Sequence, residues 1–144
     1  IGDGTDHVRC DWGTDAVWDK VSDKRKKNII GESELGLDFI NNLRSMEFTF
    51  KAPSEFPKEW NSYNKEITES RNKNVHHGLI AQDVRSALDK IGVDEFSGWS
   101  QDPDGCQRVG DAAFIAPLIK AIQELTEKNN ILSKRIDELE KVNN

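Results

Sequence analysis

Cysteine is scarce in this chain: Cys10 and Cys106 are the only two in 144 residues, and they lie far apart, outside any CxxC spacing. Neither a disulfide framework nor a zinc knuckle is signalled, so free thiols in a reducing compartment are expected, with one Cys10–Cys106 bridge as the alternative. Long apolar runs are missing too; nothing approaches the roughly 20 residues that span a bilayer. The opening IGDGTDHVRCDWG lacks a basic segment followed by an apolar one, and the chain reads as unsecreted, with no membrane partner. Positive charge is in deficit, with a net charge of -6, which opposes the attraction that dominates binding to phosphate backbones. Hydrophobic residues make up 35% of the chain against 32% charged, so a small core completed by partner chains is favoured over a large self-sufficient globule. The length fits one modest domain with an extension.

Along the chain, residues 1–21 are rich in glycine and aspartate, with Val17, Trp18 and Val21 as the apolar cluster, which suits a strand or an irregular tail. The next stretch, VSDKRKKNII, concentrates Lys24, Arg25, Lys26 and Lys27 behind Lys20. Ser33 as N-cap and the spacing of Leu37, Phe39, Ile40 and Leu43 predict a helix over 34–46. Alternation around Phe48 and Phe50 predicts a strand over 47–51, stopped by Pro53. Segment 61–74 is polar and fits a helix, a long hairpin tip or a mobile arm. His77–Leu79 suits the end of a strand, and Ile80, Val84, Ala87, Leu88 and Ile91 mark one face of a helix ending at Gly92. Pro103-Asp104-Gly105, between Trp99 and Val109, predicts a hairpin, because proline presets one central residue and glycine permits positive φ.

The C-terminal segment has the clearest pattern. Leu118, Ile122, Leu125, Asn129, Leu132, Ile136, Leu139 and Asn143 alternate steps of four and three, the a and d positions of a heptad repeat. Pro117 belongs in the first turn, where its missing N–H costs little. Arg135 and Glu140 fall at g and e, where parallel chains pair charges. A single amphipathic helix would ordinarily pack on its own domain; the period near 3.5 favours association instead. Ile at a, Leu at d and Asn at an a position point by themselves to two strands, so the repeat leaves the number of chains open.

Ser22 and Lys27 are the candidate chemical pair, since a serine hydroxyl becomes a nucleophile when a nearby base takes its proton. A lysine serves once burial or neighbouring cations strip its charge. Five residues on an ideal helix turn through about 140°, so the segment must bend for the two to meet. Asp23 can hold such a bend through backbone N–H groups, and Arg25 can fix a carboxylate or an incoming carbonyl oxygen. His77 is a candidate for steering a proton or polarising a carbonyl, with a structural strand-end hydrogen bond as the alternative. His7 and His76 lack such support. The His76–His77 pair lacks the spacing of helical metal ligands, so no metal and no cofactor are expected.

SDKRKKNII resembles the S-D-x-R-x-K-x-x-I signature of the self-cleaving intramolecular chaperone domains found at the C-termini of phage endosialidases, tailspikes, tail fibres and neck appendages. HHGLIAQDV resembles that family's His-x-Gly-Leu-Ile-Ala-Gln-Glu-Val-like block, and LIKAIQEL its C-terminal helix; the three follow in the family's order. Asp83 stands where many relatives carry glutamate, and Lys26 where an apolar residue is common.

The resemblance implies an α+β, helix-rich fold: a small mixed domain with short strands and a long C-terminal coiled-coil helix, assembled as a homotrimer. It implies a stub of the upstream fibre at 1–21, a chaperone and autoprotease core at 22–110 with a polar arm near 53–74, and a trimerisation helix at 111–144. The arm either embraces client or neighbouring chains or is a solvated insertion. The implied function is to trimerise, to promote folding of an upstream fibre in the same polypeptide, commonly a triple β-helix, and then to cut itself free. By position, Ser22 is the nucleophile, Lys27 its base, Asp23 and Arg25 support them, and the cut falls between Val21 and Ser22. Such a domain works in the host cytoplasm during virion assembly and is absent from the mature virion. Two alternatives are a non-catalytic trimerisation module and a coiled-coil nucleic-acid-binding dimer; the negative charge speaks against the second.

Overall fold

The computed structural model describes residues 8–10 and 18–142. His7, Val17 and Asn143 lie outside the described residues. Contacts divide the chain into two units, 1–32 and 33–144.

In the first unit, β1 (Val8–Cys10) and β2 (Trp18–Lys20) form an antiparallel pair with Arg9 opposite Asp19. β2 runs directly into Val21 and Ser22, and a 3-10 turn follows at Lys24–Lys26.

The second unit is α+β. Its elements are α1 (Leu37–Asn41), β3 (Met46–Phe48), β4 (His76–Gly78), α2 (Ala81–Ile91), β5 (Trp99–Gln101), β6 (Gln107–Val109) and α3 (Ile115–Val142). β3 pairs antiparallel with β4 and β5 with β6, as separate two-stranded sheets. α2 matches its apolar spacing: Val84, Ala87 and Leu88 fall on one face and are buried. It stops at Gly92, whose φ of 72° is a left-handed conformation that costs a glycine little. The Pro103-Asp104-Gly105 turn forms the predicted hairpin, with Gly105 at φ 89° and its N–H donating to the Asp102 carbonyl at 2.9 Å.

The core is small: Phe39, Val84, Ala87, Leu88 and Phe114 are buried together. Phe39 holds it from α1, edge-on to Phe96 at 5.5 Å and stacked with Phe114 at 6.0 Å, geometries that suit the quadrupoles of aromatic rings.

α1 is much shorter than the predicted 34–46 helix. Ser33 does not cap it: its hydroxyl accepts the Leu35 N–H at 3.2 Å, and the N-cap is Gly36. In place of a local cap, Glu124 on α3 accepts the Leu37 N–H at 2.8 Å, and a Cβ at position 36 would run into that carboxylate. At the other end the Asn42 side chain donates to the Asp38 carbonyl at 2.8 Å, the local competition that makes asparagine a poor helix interior. The strand predicted at 47–51 begins one residue earlier and ends at Phe48, leaving Phe50 outside it.

Segment 61–74 is neither helix nor strand. With the preceding residues it closes as a loop: the Ser54 N–H donates to the Ile67 carbonyl and the Asn64 N–H to that of Pro53, at 3.1 and 3.3 Å. The Asn61 N–H donates to Asp104 at 2.9 Å, fastening the loop to the hairpin turn.

α3 is 28 residues long, about 42 Å at 1.5 Å per residue. Pro117 sits in its first turn and, with Ala121, is buried. Leu118, Ile122, Leu125, Leu132, Ile136 and Leu139 are all exposed. The alternative that this stripe packs against its own domain is therefore excluded: the body takes the Pro117–Ala121–Glu124 side and leaves the heptad seam open.

Candidate active site

The site begins with a bend. Asp23 is extended, at φ -67° and ψ 129°, and Lys27 is extended again at φ -126° and ψ 134°, with one 3-10 turn between them. That turn is closed by the Lys26 N–H to the Asp23 carbonyl at 3.0 Å and the Lys27 N–H to that of Lys24 at 3.1 Å. Three residues per turn between extended flanks carry the chain back on itself, which an α-helix would not do over this spacing. Lys27 Nζ consequently lies 2.6 Å from Ser22 Oγ.

Asp23 secures the bend. Its carboxylate accepts the Arg25 backbone N–H at 2.8 Å and also binds the Arg25 guanidinium, at 3.0 Å through Nε and 2.7 Å through Nη2. The guanidinium, and secondly the backbone N–H, hold the Asp23 carboxyl below its ordinary value, while Asp23 raises that of Arg25. Arg25 thus spends its planar fork on Asp23 and acts on the turn. Ser22, Lys27 and their neighbours are exposed in the single chain.

His77 belongs to the second unit. It projects from β4 opposite Glu47 on β3, with Nδ1 3.7 Å from the carboxylate, and both side chains are largely exposed. The neighbouring His76 differs. Its ring stacks on Phe48 at 5.8 Å and meets Phe50 at 5.0 Å, and its Nε2 is buried with no hydrogen-bond partner. A buried imidazole nitrogen left unpaired costs free energy, so His76 holds the uncommitted polar atom of this block. The available sequence signal was the His-x-Gly pattern itself, whose histidine position falls on His76 with Gly78 two residues on. Among the described residues no group of three or more His, Cys, Asp or Glu is placed to hold a metal ion.

The model of the chaperone of endosialidase family matches residues 22–93, half of the chain, beginning at the serine of the bend. The chain belongs to that family, whose description gives it a chaperone role. No curated protein and no solved structure gives a significant match.

Proposed function

We propose that this domain trimerises, promotes folding of an upstream phage tail-fibre or tailspike segment, and then releases itself by cleavage between Val21 and Ser22. The observation that carries the reading is the 2.6 Å approach of Lys27 Nζ to Ser22 Oγ across a turn fixed by Asp23 and Arg25.

With the lysine uncharged, Nζ takes the Ser22 hydroxyl proton as Oγ attacks the Val21 carbonyl carbon. The tetrahedral oxyanion collapses, the Val21–Ser22 C–N bond breaks, and the ammonium returns its proton to the departing Ser22 nitrogen. Water then hydrolyses the resulting ester, leaving a Val21 carboxylate and a free Ser22 amine. Every reacting group is in one chain, so proximity supplies much of the acceleration and each molecule reacts once.

Lysine amines in water are protonated at neutral pH. The exposure of this pair in the single chain gives assembly its role: neighbouring copies bury the pair, shed the proton, and so make cleavage follow association.

The open seam of α3 supports self-association. Ile115 continues the heptad line by one position and Ile119 lies beside it, both exposed, so the apolar surface is broader at this end than a strict a/d stripe. Breadth of that kind suits more than two helices and offsets the two-strand preference of Ile at a and Leu at d.

The test is a longer precursor expressed beside its Ser22→Ala form. The parent breaks into two pieces with a new N-terminus at Ser22, and the variant stays whole; cleavage of both, or of neither, removes the proposed role of Ser22.

A further inference from the structure

Within the first unit, the bond between Val21 and Ser22 lies between two anchored pieces of backbone. On one side β2 pairs with β1 as far as Lys20, whose Cα partner is Val8. On the other, Asp23 caps the 3-10 turn that brings Lys27 to Ser22. Only Val21 and Ser22 stand between the last rung and the cap, so the direction of the Val21 carbonyl comes down to the two soft dihedrals of each residue.

Attack by Ser22 Oγ on that carbonyl carbon requires the carbonyl to turn one face toward the hydroxyl, and an intramolecular reaction owes much of its speed to such alignment. The capped turn fixes the hydroxyl and the amine beside it. The carbonyl belongs to Val21 and takes its direction from the strand that Val21 continues. That strand is held by β1, through three rungs.

We propose that β1 is a positioning element for the cleavage: by pairing with β2 it holds the Val21 carbonyl in the path of Ser22 Oγ, so that the cut waits on this hairpin. This rests on the cleavage reading given above and deepens it. Both strands lie on the upstream side of the cut, in the part that leaves with the client. A two-stranded hairpin is marginally stable by itself, so its population follows the folding of the segment it belongs to. Two conditions then act on separate parts of one site. Association of copies strips Lys27 of its proton, and client folding aims the carbonyl.

The test follows cleavage of the longer precursor across a pH series. Arg9→Pro takes an N–H and the free choice of φ from the middle of β1. Cleavage should slow about tenfold, the worth of disordering roughly one residue of backbone, with the pH dependence unchanged because the hairpin does not act on the Lys27 proton. A parental rate, or a loss that comes with a shifted pH profile, overturns the proposal while the parent's Ser22-dependent cleavage leaves the proposed function standing. A parent that is never cut overturns both. A second variant works without breaking the strand. Trp18→Cys, made with Cys106→Ser, sets a thiol opposite the native Cys10, at the about 4.5–5.5 Å Cα separation of antiparallel partners, which a disulfide spans. Oxidised, this protein should cut several-fold faster than the same protein reduced, at equal sedimentation. Equal rates in the two states, or failure of the bridge to form, refute the role of β1 even where the proline variant does not assemble.

Discussion

Glu124 reaches from α3 to the first N–H of α1, accepting the Leu37 amide at 2.8 Å. The carboxylate stands in for the missing side-chain cap at Gly36. Glu124→Ala is expected to cost about 0.5–2 kcal/mol of stability, as loss of an N-cap does, measured by urea unfolding of the assembled protein. Gly36→Ala should destabilise through the same contact, because the added Cβ displaces the carboxylate.

The bend around Ser22 should respond to acid. The Asp23 carboxyl is held below its ordinary value of 3.8, so its contribution to the turn is fully present above that pH and is lost as pH falls through the lowered value. Arg25 amide and Nε resonances are expected to stay constant from neutrality to about pH 4 and to move below it. A titration midpoint above 3.8 would contradict the Asp23–Arg25 pairing.

Replacing Lys27 with methionine keeps an unbranched side chain one atom shorter and removes the amine. Cleavage of the precursor should slow by about 10²–10⁴-fold, the usual worth of a positioned general base, with sedimentation unchanged. A cleavage rate equal to the parent's assigns the base elsewhere.

The two histidines of β4 separate the readings of that block. His77→Ala removes an exposed ring 3.7 Å from Glu47 and should leave cleavage and stability nearly unchanged. His76→Ala takes a half-buried ring out of the Phe48–Phe50 cluster and should lower both the melting temperature and the yield of cleaved product. The reverse ranking would return the role to His77.

Charge reversal tests the register of the seam. With helices parallel, Arg135 at g faces Glu140 at e of a neighbour. Arg135→Glu alone should weaken association, and adding Glu140→Arg should restore it, as read from the concentration dependence of sedimentation. Failure of the double variant to recover argues against a parallel arrangement.

Much of this architecture was readable where local signals agreed. α2 shows its apolar face in Val84, Ala87 and Leu88 and its stop in Gly92; α3 shows its heptads; the turn at Asp104 shows its proline and glycine. α1 is not legible in the same way, because its start is set by Glu124, 87 positions away, and no spacing within 33–46 encodes that contact. The Ser22–Lys27 pair was visible as chemistry but not as geometry: the bend depends on Asp23 capping a turn of three residues. The sequence does not single out His76, because its uncommitted nitrogen is a product of packing between Phe48 and Phe50, which adjacent letters do not display.

α3 faces two ways, giving Pro117 and Ala121 to its own body and Leu118, Ile122 and Leu125 to solvent. In the proposed assembly, copies occupying the solvent side would brace the rod on which the body leans, and mass action would enter the folding equilibrium. Melting curves should climb with protein concentration, and dilution alone should soften the body with no change in any of its residues.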